Sequence, residues 1–220
     1  MKKISLFILA CLVLFGCKES STTGDDTIHG SGVITTQDRT VSDCSGILVK
    51  SVGNVYLTQG NSQSIHIEAD DNIIDKVLTR NENGILVAGL EDGSYSNITL
   101  KIYVTLKSVG HLSIEGAGTI TANDSITCGG IESVITGAGN ITLKGNADSL
   151  RCTINGAGNF YAEHFIVKRC IALVNGTGNI TVNVTDALNA TVIGVGTINY
   201  YGNPSLVATS ITGLGQIIEK

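Results

Sequence analysis

Residues 133–143, Ser-Val-Ile-Thr-Gly-Ala-Gly-Asn-Ile-Thr-Leu, form the stretch that decides the fold. The Gly-x-Gly at its centre occurs six times in the second half of the chain. The first glycines of these copies are Gly116, Gly137, Gly156, Gly176, Gly194 and Gly213. The steps between them are 21, 19, 20, 18 and 19 residues. Nucleotide-binding glycine loops occur once, between a strand and a helix, so this near-constant period indicates stacked structural repeats instead.

The residues around each Gly-x-Gly alternate between apolar and polar. The apolar positions, two residues before and four residues after the first glycine, are Ile114, Ile135, Ile154, Val174, Val192 and Ile211, then Ile120, Ile141, Phe160, Ile180, Ile198 and Ile217. The odd offsets are mostly polar and include Asn140, Asn159 and Asn179. Because even offsets share one face of an extended strand, this alternation predicts strands with one buried face.

A strand-forming unit every ~19 residues, with equivalent positions in register, predicts an all-β fold: a right-handed parallel β-helix, or β-solenoid. Each turn would stack on the previous one at about 4.8 Å. Ile141, Ile180 and Ile198 are expected to form one buried ladder, with Asn stacked on Asn outside. A β-sandwich of unrelated hairpins is the alternative, but it does not require the same residue classes at fixed offsets. We assign residues 109–220 to the repeat part.

Residues 28–108 form a different, β-rich N-terminal part that is expected to cap the solenoid, since terminal repeats must be covered. The strand-like runs are Val33–Val41, Gly46–Lys50, Asn54–Gln59, Ser64–Ala69, Gly84–Gly89 and Ile98–Leu106. A short helix is predicted over Asp71–Leu78, with Asp70 or Asp71 as its N-cap. The segment Ser51–Val55 looks like a degenerate copy of the repeat.

The first residues have the features of an export signal. Two lysines precede the apolar run Ile4–Phe15, which predicts a signal peptide at residues 1–16. The segment Leu14-Phe15-Gly16-Cys17 resembles a bacterial lipobox, so Cys17 is predicted to be lipidated. The polar residues 17–27 are then a flexible tether. These features predict an outer-membrane-anchored lipoprotein of the cell envelope whose domain faces either the periplasm or the cell exterior.

Charge and composition exclude one class of partner. The formal net charge is −5, and lysines and arginines are scattered along the chain. A nucleic-acid-binding protein would show a clustered basic patch. We therefore expect no nucleic acid among the partners.

The repeats and their flanks resemble the head-GIN-domain family of putative autotransporter adhesins, which are common as lipoproteins in Bacteroidetes. The matching stretches are Gly46–Gln59 with Glu68–Asn72, the Gly-x-Gly-Asn-Ile copies, and Ile180–Pro204, which ends in Tyr-Tyr-Gly-Asn-Pro. The resemblance implies a β-helical fold and a location in the cell envelope. It brings no catalytic residues.

The residues give little sign of enzyme chemistry. The four histidines, at 29, 66, 111 and 164, are scattered, and no catalytic or metal-binding motif is present. β-Helical polysaccharide-degrading enzymes place several acidic residues in one cleft. Here Asp148 and Asp186 share an offset two turns apart, about 9–10 Å, at the edge of an inverting glycosidase's spacing. Lys168 lies between them and favours a structural ion stripe. We predict no catalytic, cofactor-binding or metal-binding residues.

Two classes of function are favoured, and a third is kept. The chain is expected to be a non-catalytic adhesion or binding module, attached to the membrane through its lipid, with an unidentified glycan or protein ligand. The alternative is a lipid-anchored structural or assembly protein of the envelope. A polysaccharide-active enzyme is the third reading.

Cys152 and Cys170 are predicted to be free, buried thiols. They lie on consecutive turns but two residues out of register. Their Cα atoms would be about 8 Å apart, whereas disulfides need less than about 7 Å. Cys44 and Cys128 cannot be paired from the sequence.

Overall fold

The computed structural model of the protein describes residues 26–220. The predicted signal peptide, Cys17 and nearly all of the tether lie outside the described residues. The fold is all-β, with 70% strand and 2% helix, and its parallel coils stack into a β-solenoid of about five turns. This confirms the predicted fold class.

Eighteen strands make up the described part of the chain. They are β1 Ile28–His29, β2 Ile34–Arg39, β3 Gly46–Ser51, β4 Asn54–Gln59, β5 Ser64–Asp70, β6 Val77–Glu82, β7 Ile85–Leu90, β8 Tyr95–Ser96, β9 Leu100–Leu106, β10 His111–Gly116, β11 Thr119–Ala122, β12 Ile126–Gly137, β13 Asn140–Ile154, β14 Asn159–Gly176, β15 Asn179–Gly194, β16 Thr197–Tyr201, β17 Leu206–Gly213 and β18 Gln216–Glu219. A 3-10 turn covers Ile74–Lys76.

The buried ladder runs through the stack in the predicted register. Ile120 pairs with Ile141, and the ladder continues through Phe160, Ile180 and Ile198. All five side chains are at most 1% exposed. The apolar residue four positions after each glycine therefore builds the core, as the alternation predicts.

The outward face carries the predicted asparagine ladder. Asn159 donates from Nδ2 to Oδ1 of Asn140 at 2.9 Å, and Asn179 donates to Asn159 at 3.0 Å. In the two coils on the N-terminal side of Asn140, the Thr119 hydroxyl donates to Asn54 Oδ1 at 2.9 Å. These hydrogen bonds join side chains of neighbouring coils, so the stack is also held together from outside.

Glycine is favoured where consecutive coils turn the same corner. Gly137 has φ 140°, and a Cβ on it would overlap the carbonyl oxygen of Gly116 in the preceding coil. Ser51 pairs with Gly116 and has φ 61°, so it occupies the same corner without being glycine. This confirms that Ser51–Val55 is a degenerate copy of the repeat.

The N-terminal part caps the stack, and its strands pair out of chain order. After β1 and β2, the chain forms β3 and β4, which pair with β10 and β11 of the next coil. It then adds β7 outside β3 and β9 outside β4. Antiparallel strands complete this end, with β6 on β7 and β5 followed by β2 on β9. Antiparallel pairing ends the parallel stack at this side.

The helix predicted over residues 71–78 is wrong. Only Ile74–Lys76 form a 3-10 turn, without a side-chain cap, and β6 begins at Val77. Asp70 is not an N-cap. It is buried, and its carboxylate accepts hydrogen bonds from the backbone N–H groups of Gly32 at 2.8 Å and Thr99 at 2.6 Å, which links two loops. Pairing of β6 with β7 outweighs the local helical preference.

Candidate functional site: an axial groove

A groove of about 810 Å³ crosses five successive strands, β12, β13, β14, β15 and β17. We call it the axial groove. Its floor is a ladder of mostly buried residues in register: Ile131, Leu150, Cys170, Leu188 and Val207. Four strand spacings give it a length of about 19 Å. The regular stacking of repeats thus produces a linear site that runs along the solenoid.

The two walls are formed by the outward-pointing neighbours of the floor. One wall consists of Gly130, Ser149, Arg169, Ala187 and Leu206, and the other of Glu132, Arg151, Ile171, Asn189 and Ala208. Small residues on the first wall leave the groove open. Ile171 is 41% exposed and Leu206 69% exposed, so apolar surface faces the solvent. The lining has no aromatic ring on which a neutral sugar could stack.

Two guanidinium groups supply the positive charge of the axial groove. Arg169 pairs in register with Ser149, and Arg151 with Ile171, so the two arginines lie diagonally across the floor. One strand spacing and two residues of rise place their Cα atoms about 8 Å apart. Among residues 26–220, neither forms an ion pair within 4.0 Å. Glu132 is the in-register neighbour of Arg151, but its carboxylate faces His111 at 3.6 Å. The forked donors of both arginines can therefore meet carboxylate, sulfate or phosphate groups of a ligand.

The predicted ion stripe lies beside the axial groove, and half of it forms. Lys168 Nζ lies 2.8 Å from Asp148 Oδ1. Asp186 instead accepts a hydrogen bond from Thr185 at 2.6 Å. The hydrogen bond from Lys168 lowers the pKa of Asp148. A general acid needs a carboxyl pKa that is raised, so Asp148 is not suited to the general-acid role in glycoside hydrolysis.

The histidines do not come together. His66 Nδ1 is 2.7 Å from Asp38 Oδ1, and His111 Nδ1 is 3.6 Å from Glu132 Oε2. Within the described part of the chain, no three His, Cys, Asp or Glu side chains are placed to hold a metal ion.

The cysteines lie where the register predicts. Cys170 pairs with Leu150, and Cys152 with Ala172, so the two thiols are two residues out of register. Both are free and buried. Burial raises the pKa of Cys152 well above the usual thiol value, and the neighbouring Cys170 raises it further. Cys44 and Cys128 are also free, and burial raises the pKa of each.

The axial groove is not evident from the sequence. In the sequence pattern, its floor residues look like ordinary core positions, and Arg151 and Arg169 look like scattered surface charges. The available signal is the run of small residues seven positions before the glycines, at Gly130, Ser149 and Ala187. Small side chains repeated at one outward offset leave a depression along the stack.

Comparisons with known proteins agree with this architecture. A family model described as putative auto-transporter adhesin, head GIN domain, matches residues 43–204. A putative adhesin from Bacteroides fragilis has a solved structure with TM-score 0.74 and 25% identity, covering 88% of this chain and 100% of its own. No curated protein matches the sequence.

Two further solved structures share the fold. A putative lipid binding protein from Parabacteroides distasonis has TM-score 0.57 and 21% identity, with 88% of this chain and 99% of that chain covered. A putative adhesin from the same species has TM-score 0.52 and 22% identity, with 89% and 100% covered. Because the family model spans most of the described solenoid, this chain belongs to the head-GIN-domain family of putative auto-transporter adhesins.

Proposed function

We propose that the protein is a non-catalytic adhesin of the cell envelope that binds an extended acidic ligand along the axial groove. The observation that carries this proposal is a pair of arginines above a linear floor, Arg151 and Arg169, which have no ion-pair partner among the described residues. The groove is open and crosses five strands, which suits a chain-like ligand better than a compact one.

The ligand class follows from the groove chemistry. The guanidinium forks match carboxylate or sulfate groups, and the exposed apolar side chains of Ile171 and Leu206 match the non-polar faces of a polymer. The absence of aromatic platforms from the lining disfavours neutral sugars. An acidic polysaccharide meets these requirements, because it is extended and carries acidic groups along its length.

A glycan array with the full chain tests the proposal. We expect retention on heparin, an acidic polysaccharide, and none on dextran, a neutral one. The variant R151Q/R169Q should lose that retention. The matched control K50Q/K144Q removes two exposed lysines that lie outside the groove lining. If no acidic glycan is retained, or if both variants lose binding equally, the groove is not an adhesive site, and a structural or assembly role in the envelope is favoured.

We further propose that Cys17 is the lipid attachment point that holds the protein at the outer membrane. The sequence Leu14-Phe15-Gly16-Cys17, followed by a polar tether, supports this. Among residues 26–220, no helix has the length and hydropathy needed to cross a bilayer. Cys17→Ser should abolish labelling by palmitate and release the protein from membranes. Continued labelling of this variant would contradict the proposal.

A further inference from the structure

The last coil of the solenoid leaves an unpaired apolar strand at the end opposite the cap. All eight residues of β17 are exposed. Val207 and Ile211 point toward the core, yet they are 46% and 49% exposed. Their register partners one coil inside, Leu188 and Val192, are 2% and 0% exposed. Core-type side chains at this end are therefore open to solvent.

The edge also lacks the devices that keep edge strands from pairing. Natural edges are blunted by charges, prolines or bulges. Residues 205–218 contain no Lys, Arg, Asp, Glu or Pro. Within residues 26–220, no strand pairs with the outer side of β17. The backbone N–H and C=O groups on its outer side are free to form a new ladder.

The two ends of the solenoid differ in charge. At the capped end, the edge strand β2 carries Asp38 and Arg39, and the edge strand β6 carries Arg80 and Glu82. Charges on an edge strand are one of the devices that keep another strand from pairing with it, so neither capped edge suits the uncharged β17. Head-to-tail stacking is disfavoured, so the best match for the β17 edge is the same edge of a second copy.

A twofold axis brings two copies of β17 together as an antiparallel pair, because a twofold reverses strand direction. Opposite residues of such a pair share a face, so inward residues must meet inward residues. A register centred on Thr209 satisfies this over the whole strand. It places Val207 of each copy opposite Ile211 of the other and buries both. The arrangement is closed, because each edge is used once.

We propose that the protein forms a tail-to-tail homodimer through β17, with Thr209 on the twofold axis. The dimer places two axial grooves on one particle, which allows bivalent contact with a ligand of repeating units. The dimer does not depend on what the grooves bind.

Sedimentation velocity of the purified full chain tests the association. We expect a species of twice the chain mass, and a monomer for Ile211→Lys, because a charge then lies opposite Val207 in an apolar pair. The matched control Thr136→Lys adds the same charge on an exposed position of β12 and should remain dimeric. A monomeric wild-type chain, or assemblies larger than two chains, would overturn the proposal.

A cross-link tests the register without relying on a destabilised variant. Opposite Cα atoms in an antiparallel pair are about 4.5–5.5 Å apart, within disulfide reach. Thr209→Cys should therefore form an intermolecular disulfide under mild oxidation, whereas Thr136→Cys should not. Equal cross-linking of both variants, or none at residue 209 in a chain that sediments as a dimer, would refute the register.

Discussion

Replacing Ile180 by Ala removes the fourth of the five side chains traced in the buried ladder. Ile180 is 0% exposed and pairs with Phe160 on one side and Ile198 on the other. Three carbon atoms lose their burial, which costs about 2.4 kcal/mol. Parallel strands fix both neighbours, so a cavity of roughly 60 Å³ remains and adds about 1.4 kcal/mol. We expect a loss of about 4 kcal/mol in the free energy of unfolding.

Two matched variants show whether the ladder explains that loss. Asn179→Ala changes the adjacent outward residue, which loses one exposed hydrogen bond to Asn159, and should cost about 0.5–1 kcal/mol. Ile217→Ala truncates the half-buried last member of the same ladder and should cost less than Ile180→Ala. The assay is urea unfolding followed by circular dichroism, with the slope unchanged. Equal losses for Ile180→Ala and Asn179→Ala would refute the inward and outward assignment.

Three further results are expected. Gly137→Ala should cost about 2–3 kcal/mol because of its positive φ and the adjacent carbonyl, whereas Gly129→Ala, with open space around its Cβ, should cost less than about 0.5 kcal/mol in thermal unfolding. The pKa of Asp148 is below its unfolded value, so its ion pair should stabilise the fold at neutral pH and lose that effect as pH falls through the folded pKa; an NMR titration showing a normal pKa would contradict this. Cys152 and Cys170 should react with iodoacetamide only after unfolding, and mass spectrometry of a disulfide between them would show a slipped register.

The repeat part could be predicted closely, because each coil obeys the same local rule. The apolar residues at Ile141 and Ile180, the asparagines beside them and the corner glycines all follow from strand alternation and a fixed period. The two-residue offset between Cys152 and Cys170 follows from the same count. Because the environment repeats, an assignment made for one copy of the repeat can be tested against the other copies.

The N-terminal part could not be predicted in the same way. Its strands pair out of chain order, with β7 and β9 added outside β3 and β4. Nothing local in residues 71–78 indicates that Val77–Glu82 pairs with β7 and limits the helix to one 3-10 turn. Long-range pairing decides these elements.

The candidate site escaped prediction for a related reason. Arg151 and Arg169 are 18 residues apart in the sequence, and only the register of β13 with β14 brings them to opposite walls of one groove. The depression itself depends on small side chains at one outward offset, which the apolar pattern does not include. A site built from outward positions of different coils leaves no contiguous motif.

The most direct test of the central proposal is a calorimetric titration of heparin into the full chain, R151Q/R169Q and K50Q/K144Q. The proposal predicts that the groove variant loses at least about tenfold in affinity, about 1.4 kcal/mol, while the lysine variant keeps wild-type affinity. Equal weakening of both variants would mean that binding follows overall charge and that the axial groove is not the site.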